Sequence, residues 1–158
     1  MTVDTRKVTG RRKLKFASYD EILADAERLV QGPTRQLGNW TVGQALEHLA
    51  RAQNMAIDGS ALRLPWAVRL VVRTFLKKRL IDGPMPSGFK LPADAAKVLE
   101  PAATSPERGL ESYRASVARL ARDSRREPSP TLGALSLEEY DRLHFSHAAL
   151  HLSFFVPK

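Results

Sequence analysis

Apolar residues recur at spacings of three and four along most of the chain, which predicts helices rather than strands. Three runs begin with a Ser or Thr followed three residues later by Glu or Gln, the spacing of a capping box, at Ser18, Thr41 and Ser136. A fourth run starts at Pro106, with Ser105 as its N-cap. These signals predict helices over about 19–31, 42–58 and 137–155. The helix that starts at Pro106 is predicted to end near the charged stretch RDSRREP.

A further amphipathic segment follows the second helix. Pro65 suits the first turn of a helix, and apolar residues continue at helical spacing to about Lys78. Arg69, Arg73 and Lys77 lie four residues apart, so they predict a basic row along one side. We expect a short extra helix that packs its apolar side on the body of the protein while its arginines extend into solvent.

The stretch from Ile81 to Pro106 is rich in proline, which interrupts helices and predicts a long loop. A loop of this length in a small domain is often a lid or a wall of a site. No strand pattern competes with the helices. The predicted architecture is all-α, a four-helix bundle with a long Pro-rich insertion and a short extra helix, over residues 18–158. The first 17 residues, with six basic side chains, form a predicted basic arm.

Composition narrows the class of protein. The chain has 158 residues, 43% of them hydrophobic, which suits one globular domain. It has no cysteine, so disulfides and thiolate metal ligands are excluded. No complete export signal and no apolar run of about 18 residues occurs, so we expect a cytoplasmic protein without a transmembrane segment. The formal net charge of +8 favours contact with polyanions.

Histidines are concentrated in one place. The stretch LHFSHAALHLSFF holds three of the four histidines, His144, His147 and His151. At about 100° per residue, all three fall within a sector of about 60° on the buried side of the last helix. His147 and His151 have the i, i+4 spacing by which one helix offers two nitrogens to a metal ion. The fourth, His48, lies on the predicted inner face of the second helix, so all four can meet at one place.

Two interpretations of this cluster are open. Three neutral imidazoles would leave an open coordination position on a bound metal, as in catalytic zinc sites. Alternatively, the histidines are partly buried side chains that have hydrogen-bond partners and bind no metal.

No nucleophilic triad and no glycine-rich phosphate loop stands out elsewhere in the chain. Trp40 and Trp66 are expected to be core anchors, with Trp40 packing where the chain enters the second helix.

The stretches LGNWTVGQALEHLARAQN, GFKLP, PSPTLGALSLEEY and LHFSHAALHLSFF together resemble the DinB-like superfamily of putative metalloenzymes, in one of its branches of unknown function. The resemblance implies a four-helix bundle with a three-histidine metal site, one ligand from the second helix and two from the last. His48 matches the first of these. The usual last-helix pattern, H-x-x-H-H-x-x-Q, places Ala148 where a ligand would stand and His151 where glutamine would stand.

The missing imidazole could be replaced by using His147 with His151, or His144 with either of them. We favour zinc or nickel bound by His48, His147 and His151. His144 is then either a fourth ligand or a hydrogen-bond donor in the shell of residues around the ligands. Characterised relatives include thiol-dependent transferases and isomerases, so the resemblance implies a small-molecule substrate and a low-molecular-weight thiol. No catalytic acid or base is identified, and the oligomeric state is open, a homodimer being one option.

Two other functions compete with metal chemistry. A basic helical module could bind nucleic acid or another polyanion through the arm and the cations near residues 69–79, with a degenerate metal site, although no recognised nucleic-acid-binding motif occurs. Segment 65–81 could lie on an anionic membrane, because it is basic and contains Trp66, Phe75 and Leu76. We expect neither to be the main function.

Overall fold

A computed structural model describes residues 2–62, 64–88 and 100–158 of the chain. The described part is predominantly helical, with one small sheet of two strands. The helices are α1 (Tyr19–Gln31), α2 (Val42–Asp58), α3 (Trp66–Val71), a π-helical turn (Val72–Leu76), α4 (Lys77–Asp82), α5 (Pro106–Arg122) and α6 (Leu137–Leu152). The strands are β1 (Thr34–Gln36) and β2 (Phe155–Pro157).

The predicted caps start the long helices. The Ser18 side chain accepts a hydrogen bond from the Glu21 backbone N–H at the start of α1. Capping boxes with both reciprocal bonds open α2 and α6, at Thr41 and Ser136. Each cap satisfies backbone donors that the first helical turn leaves unpaired, and the predicted bounds of α1 and α2 are confirmed.

Helices α1, α2, α5 and α6 surround one hydrophobic core. It contains fully buried side chains from each of them, with Ile22 from α1, Leu46 from α2, Tyr113 from α5 and Leu152 from α6. Phe155, at the start of β2, is part of the same core and is 2% exposed. Burial of this apolar surface provides the main free energy that holds the four helices together.

Helices α2 and α5 are in tight contact where two glycines meet. A Cβ atom on Gly109 would lie 2.4 Å from the carbonyl oxygen of Gly43, and one on Gly43 would lie 2.2 Å from that of Thr104. Any larger residue would push the helices apart, because both obstacles are backbone atoms. The start of α2, which carries His48 on its next turn, is therefore held tightly against α5.

The end of the chain differs from the prediction. The last helix stops at Leu152 rather than near Phe155, and β2 then pairs antiparallel with β1, with Gln36 opposite Phe155. The expectation of no strands was therefore wrong. Strands of three residues are too short to show an alternating pattern, and only their pairing across the chain defines them.

The extra helical segment also differs. It continues to Asp82 rather than ending near Lys78, and a π-helical turn interrupts it over Val72–Leu76. Val72 and Ile81 are buried against Leu132 in a second, smaller hydrophobic cluster.

The expectation that Trp66 is a core anchor was wrong. Its side chain is 77% exposed, and α3 contributes no buried residue at all. The segment packs on the body through the residues that follow α3, not through α3 itself. Helical spacing alone could not distinguish a face that packs on the protein from one that is exposed to solvent.

Residues 2–17 have no regular secondary structure, yet they pack on the body. Arg12 makes two side-chain hydrogen bonds of 2.7 Å to the buried carboxylate of Asp25, and its backbone N–H donates to Ser153. The Pro-rich loop was expected to be a lid or a wall of a site. Residues 89–99 of this loop lie outside the described part of the chain, so that expectation stays a prediction. Within the described residues, no helix is both long and apolar enough to cross a membrane.

Candidate metal centre

Three histidine side chains converge between α2 and α6. The Nε2 atom of His147 lies 3.1 Å from Nε2 of His48 and 3.0 Å from Nε2 of His151. One ring nitrogen from each residue falls within 4.8 Å of the other two. His48 is buried, whereas His147 and His151 keep part of their surface exposed, so the cluster lies at the edge of the core rather than at its centre.

The spacing of the nitrogens suits a single metal ion. Three nitrogens at about 2.0–2.1 Å from a tetrahedral zinc ion would be roughly 3.3 Å apart. The two short separations, 3.0 and 3.1 Å, are close to that value. With three protein ligands, a fourth position would remain for water or a substrate.

Local sequence places each ring. His147 and His151 occupy successive turns of α6, so their side chains point to the same side. His48 lies just beyond the first turn of α2, whose start is fixed by the Thr41–Gln44 capping box and by the contact with α5. The Gln44 side-chain amide also donates to the carbonyl of Pro101, which ties this turn to the chain before α5.

The environment keeps His147 and His151 neutral. Burial is the main cause that lowers the pKa of His147 well below its usual value, and the nearby rings of His151 and His48 add to the effect. The pKa of His151 is lowered in the same way, by burial and then by His48. A ring that resists protonation keeps a lone pair available at neutral pH, which is the form that binds a metal.

Trp40 forms a wall of the cluster, a role that sequence reasoning missed. Its ring stacks on His151, with centroids 5.2 Å apart and planes within 11° of parallel, and it also contacts His48 at 4.8 Å. Trp40 was expected only to pack where the chain enters α2. Its position directly before the cap of the helix that carries His48 was the available signal.

His144 is not one of the three converging residues. Its Nδ1 lies 3.0 Å from the hydroxyl of Tyr19, and that hydroxyl donates to Asp141 at 2.7 Å. Because the single Tyr19 proton goes to Asp141, His144 donates its own Nδ1 proton to the Tyr19 oxygen. The chain His144–Tyr19–Asp141 thus fixes the tautomer of His144 and leaves its Nε2 unprotonated.

Ala148, where the resembled pattern has a ligand, is completely buried in the main core. Its methyl group packs among apolar side chains from the neighbouring helices. The cluster instead consists of His147 and His151, which lie one turn apart on α6, and His48 of α2.

A family model described as "Protein of unknown function (DUF1569)" matches residues 8–158. The chain belongs to the DUF1569 family. The match covers all of the long helices and every histidine of the cluster. No curated protein and no solved structure matches this DUF1569 chain.

Proposed function

We propose that this DUF1569 protein binds one divalent metal ion, zinc or nickel, through His48, His147 and His151. We further propose that its α1, α2, α5 and α6 form a four-helix bundle of the DinB-like kind. The observation that carries the proposal is the convergence of three Nε2 atoms from two helices, with separations of 3.0 and 3.1 Å along two sides.

The three imidazole nitrogens are better suited to binding a cation than to hydrogen bonding with one another. Each neutral imidazole nitrogen either donates one proton or offers one lone pair, so Nε2 of His147 cannot make good hydrogen bonds to both neighbours with three neutral rings. A divalent ion would instead accept lone pairs from all three nitrogens at once. The lowered pKa values of His147 and His151 suit the same outcome, because protonation would not compete with metal binding near neutral pH.

We propose an enzymatic role for the site, on a small molecule in the cytoplasm, of the thiol-dependent transferase or isomerase type that the DinB resemblance implies. A divalent ion held by three neutral imidazoles supplies Lewis acidity at its open position and lowers the pKa of a bound water or thiol. The chain's own part is to hold the rings. Trp40 closes one side of the cluster, and the partial exposure of His147 and His151 leaves a side open for a substrate.

The test is metal analysis of the purified protein, followed by titration of the metal-free protein with zinc and nickel. We expect one ion per chain and a higher melting temperature when metal is added. An ion at a hundred times its Kd stabilises the folded state by about 2.7 kcal/mol. The double variant His48→Ala, His151→Ala should lose the bound ion and the metal-induced shift while keeping its helical circular dichroism.

His144→Gln serves as the matched control, because it replaces a buried histidine of the same helix that lies outside the converging group. We expect it to keep one ion per chain. Loss of the ion in His144→Gln as well would assign His144 as a fourth ligand. If neither zinc nor nickel binds to the unaltered protein or changes its melting temperature, the proposal is wrong.

A further inference from the structure

Helix α3 and the π turn after it expose an unusual amount of apolar surface. Five large apolar side chains between residues 66 and 75 are at least 44% exposed: Trp66, Val68, Leu70, Val71 and Phe75. Two of them, Trp66 and Phe75, are more than three-quarters exposed. Single exposed apolar residues are ordinary, but a contiguous group of this kind marks an interaction surface.

The arrangement differs from an ordinary surface helix, which buries one side. None of the six residues of α3 is buried, although four of them are large and apolar. A helix whose apolar residues are spread around it, rather than gathered in one stripe, normally lies in apolar surroundings. The segment is nevertheless firmly attached, because Val72 and Ile81 anchor its continuation in the second hydrophobic cluster.

Positive charge borders the apolar surface. Between residues 66 and 82 there are five cationic side chains and one carboxylate, Asp82. Asp82 pairs with Arg142 of α6, and Lys77 pairs with Glu139. Arg73, Lys78 and Arg79 are exposed and take part in none of the ion pairs found between described residues. Because their side chains are exposed, these three cations can reach an external partner.

We propose that the α3 surface, meaning α3, the π turn and Lys78 and Arg79, docks on an anionic lipid bilayer. The apolar side chains would enter the headgroup and acyl boundary while Arg73, Lys78 and Arg79 contact anionic headgroups. Tryptophan, phenylalanine and basic residues are the side chains that favour this boundary. The proposal is independent of the metal centre.

Charge complementarity selects a lipid over the other occupants. A second copy of the chain in a two-fold contact would place the same cations against one another, which is unfavourable. Nucleic acid would satisfy the cations and could stack on the two rings, but it offers no apolar medium for Val68, Leu70 and Val71. An anionic bilayer satisfies both requirements.

The experiment is co-sedimentation of the full chain with phosphatidylcholine vesicles, with and without phosphatidylserine. We expect binding only to the vesicles that contain phosphatidylserine, and weaker binding as salt is added. In a Trp40→Phe background, the fluorescence of Trp66 should shift to shorter wavelength on binding. Trp66→Ser with Phe75→Ser should lower the partition coefficient at least about tenfold.

Charge is tested separately with Arg73→Gln, Lys78→Gln and Arg79→Gln combined, which should lower the partition coefficient by about two orders of magnitude. The matched control removes three exposed cations elsewhere, Arg35→Gln, Arg122→Gln and Lys158→Gln, and should lower it much less. Leu137→Ser, at an apolar residue 47% exposed at the start of α6, controls for loss of apolar surface. All variants should keep the melting temperature of the parent within a few degrees.

Three results would overturn the proposal. Equal binding to both kinds of vesicle, or to neither, removes the role of anionic lipid. A dimer in sedimentation velocity that dissociates in Trp66→Ser with Phe75→Ser assigns the surface to a second copy. Binding of a single-stranded oligonucleotide that depends on Trp66 and Phe75, without vesicle binding, assigns it to nucleic acid.

Discussion

Among the ring pairs of the candidate metal centre, Trp40 and His151 are the most nearly parallel. Their planes are within 11° of parallel at a centroid distance of 5.2 Å, so the indole limits rotation of the imidazole about its last side-chain bond. His48 is held from the same side at 4.8 Å. A site whose rings are already oriented loses less conformational entropy when an ion binds.

We therefore predict that Trp40→Ala weakens zinc affinity by about tenfold to a hundredfold, the usual effect of removing groups that orient ligands. Isothermal titration of the metal-free protein measures it. Trp40→Phe keeps an aromatic wall and should retain most of the affinity. Equal affinity in Trp40→Ala and the parent would show that α2 and α6 alone orient the rings.

His144 provides a second prediction at the scale of single residues. Burial, with a smaller contribution from the positive charge of Arg126, lowers the pKa of His144 to about 3. In the unfolded chain the pKa of histidine is about 6.5. Between these two values the unfolded chain binds a proton at this residue that the folded protein does not bind, so folding stability must fall as the pH falls through this window.

The slope that one such residue contributes is at most about 1.4 kcal/mol per pH unit, and it acts from about pH 6.5 down towards pH 3. His144→Phe should remove that contribution and flatten the pH dependence of the free energy of unfolding. Urea denaturation of the metal-free protein at several pH values measures the change. An unchanged slope in His144→Phe would mean that His147 and His151 account for the whole dependence.

At the scale of elements, the helix boundaries were readable because they depend on local chemistry. Hydroxyl side chains at Ser18, Thr41, Ser105 and Ser136 each accept a backbone N–H three residues on, and each marks the observed start of a helix. What the sequence could not reveal depends on contacts between distant residues. The pairing of β1 with β2 is one case, and the exposure of Trp66 is another.

The candidate metal centre shows the same difference between what local sequence predicts and what depends on distant contacts. Helical spacing brought His147 and His151 together, and the inner face of α2 made His48 their natural partner. The role of Trp40 was missed, because the loop before α2 has no periodicity from which to orient a side chain. The separation of His144 from the converging group was also hidden, because it depends on a hydrogen bond to Tyr19, 125 residues away.

The close approach of α2 and α5 gives a prediction for this pair of elements. A methyl group on Gly109 would lie 2.4 Å from the carbonyl oxygen and 2.8 Å from the Cα of Gly43, so the helices must separate to admit it. We expect Gly109→Ala to lower the free energy of unfolding by about 1–3 kcal/mol despite the better helix propensity of alanine.

Thermal or urea denaturation measures this loss. Gly32→Ala is the control, because its methyl group would meet only the carbonyl of Arg28, at 3.3 Å, and its change should be much smaller. A Gly109→Ala protein that is as stable as the parent would show that the two helices can separate at little cost. Because His48 lies on α2, the same variant should also weaken metal binding.

At the scale of the whole molecule, the basic arm is part of the folded body. Charge alone suggested a free arm available to polyanions, yet its cations are partly used within the protein. Arg12 joins the arm to α1 through Asp25 and to the end of α6 through the carbonyl of Leu152, at 2.9 Å. Arg11 lies 4.6 Å from the centre of the Phe154 ring. Residues near both chain ends thus pack beside the helix that carries His147 and His151.

The Arg12–Asp25 pair should therefore matter to stability far more than an exposed ion pair. The Asp25 side chain is only 3% exposed and that of Arg12 17%, and two parallel hydrogen bonds of 2.7 Å join them. Arg12→Gln leaves Asp25 with the largely exposed Arg28 as its remaining cationic partner. Removing one partner of a buried pair costs several kcal/mol, and the partial exposure of Arg12 reduces the expected loss to about 2–4 kcal/mol.

For a chain of this length, a loss of that size lowers the melting temperature by roughly 5–15 °C. Arg114→Gln is the matched control, because it breaks an ion pair with Glu27 whose two side chains are 53% and 39% exposed, and we expect a change of less than about 1 kcal/mol. Differential scanning calorimetry on both variants compares them directly. Similar melting temperatures for the two variants would mean that the buried Arg12–Asp25 pair contributes no more than an exposed ion pair, and that the arm does not stabilise the body through it.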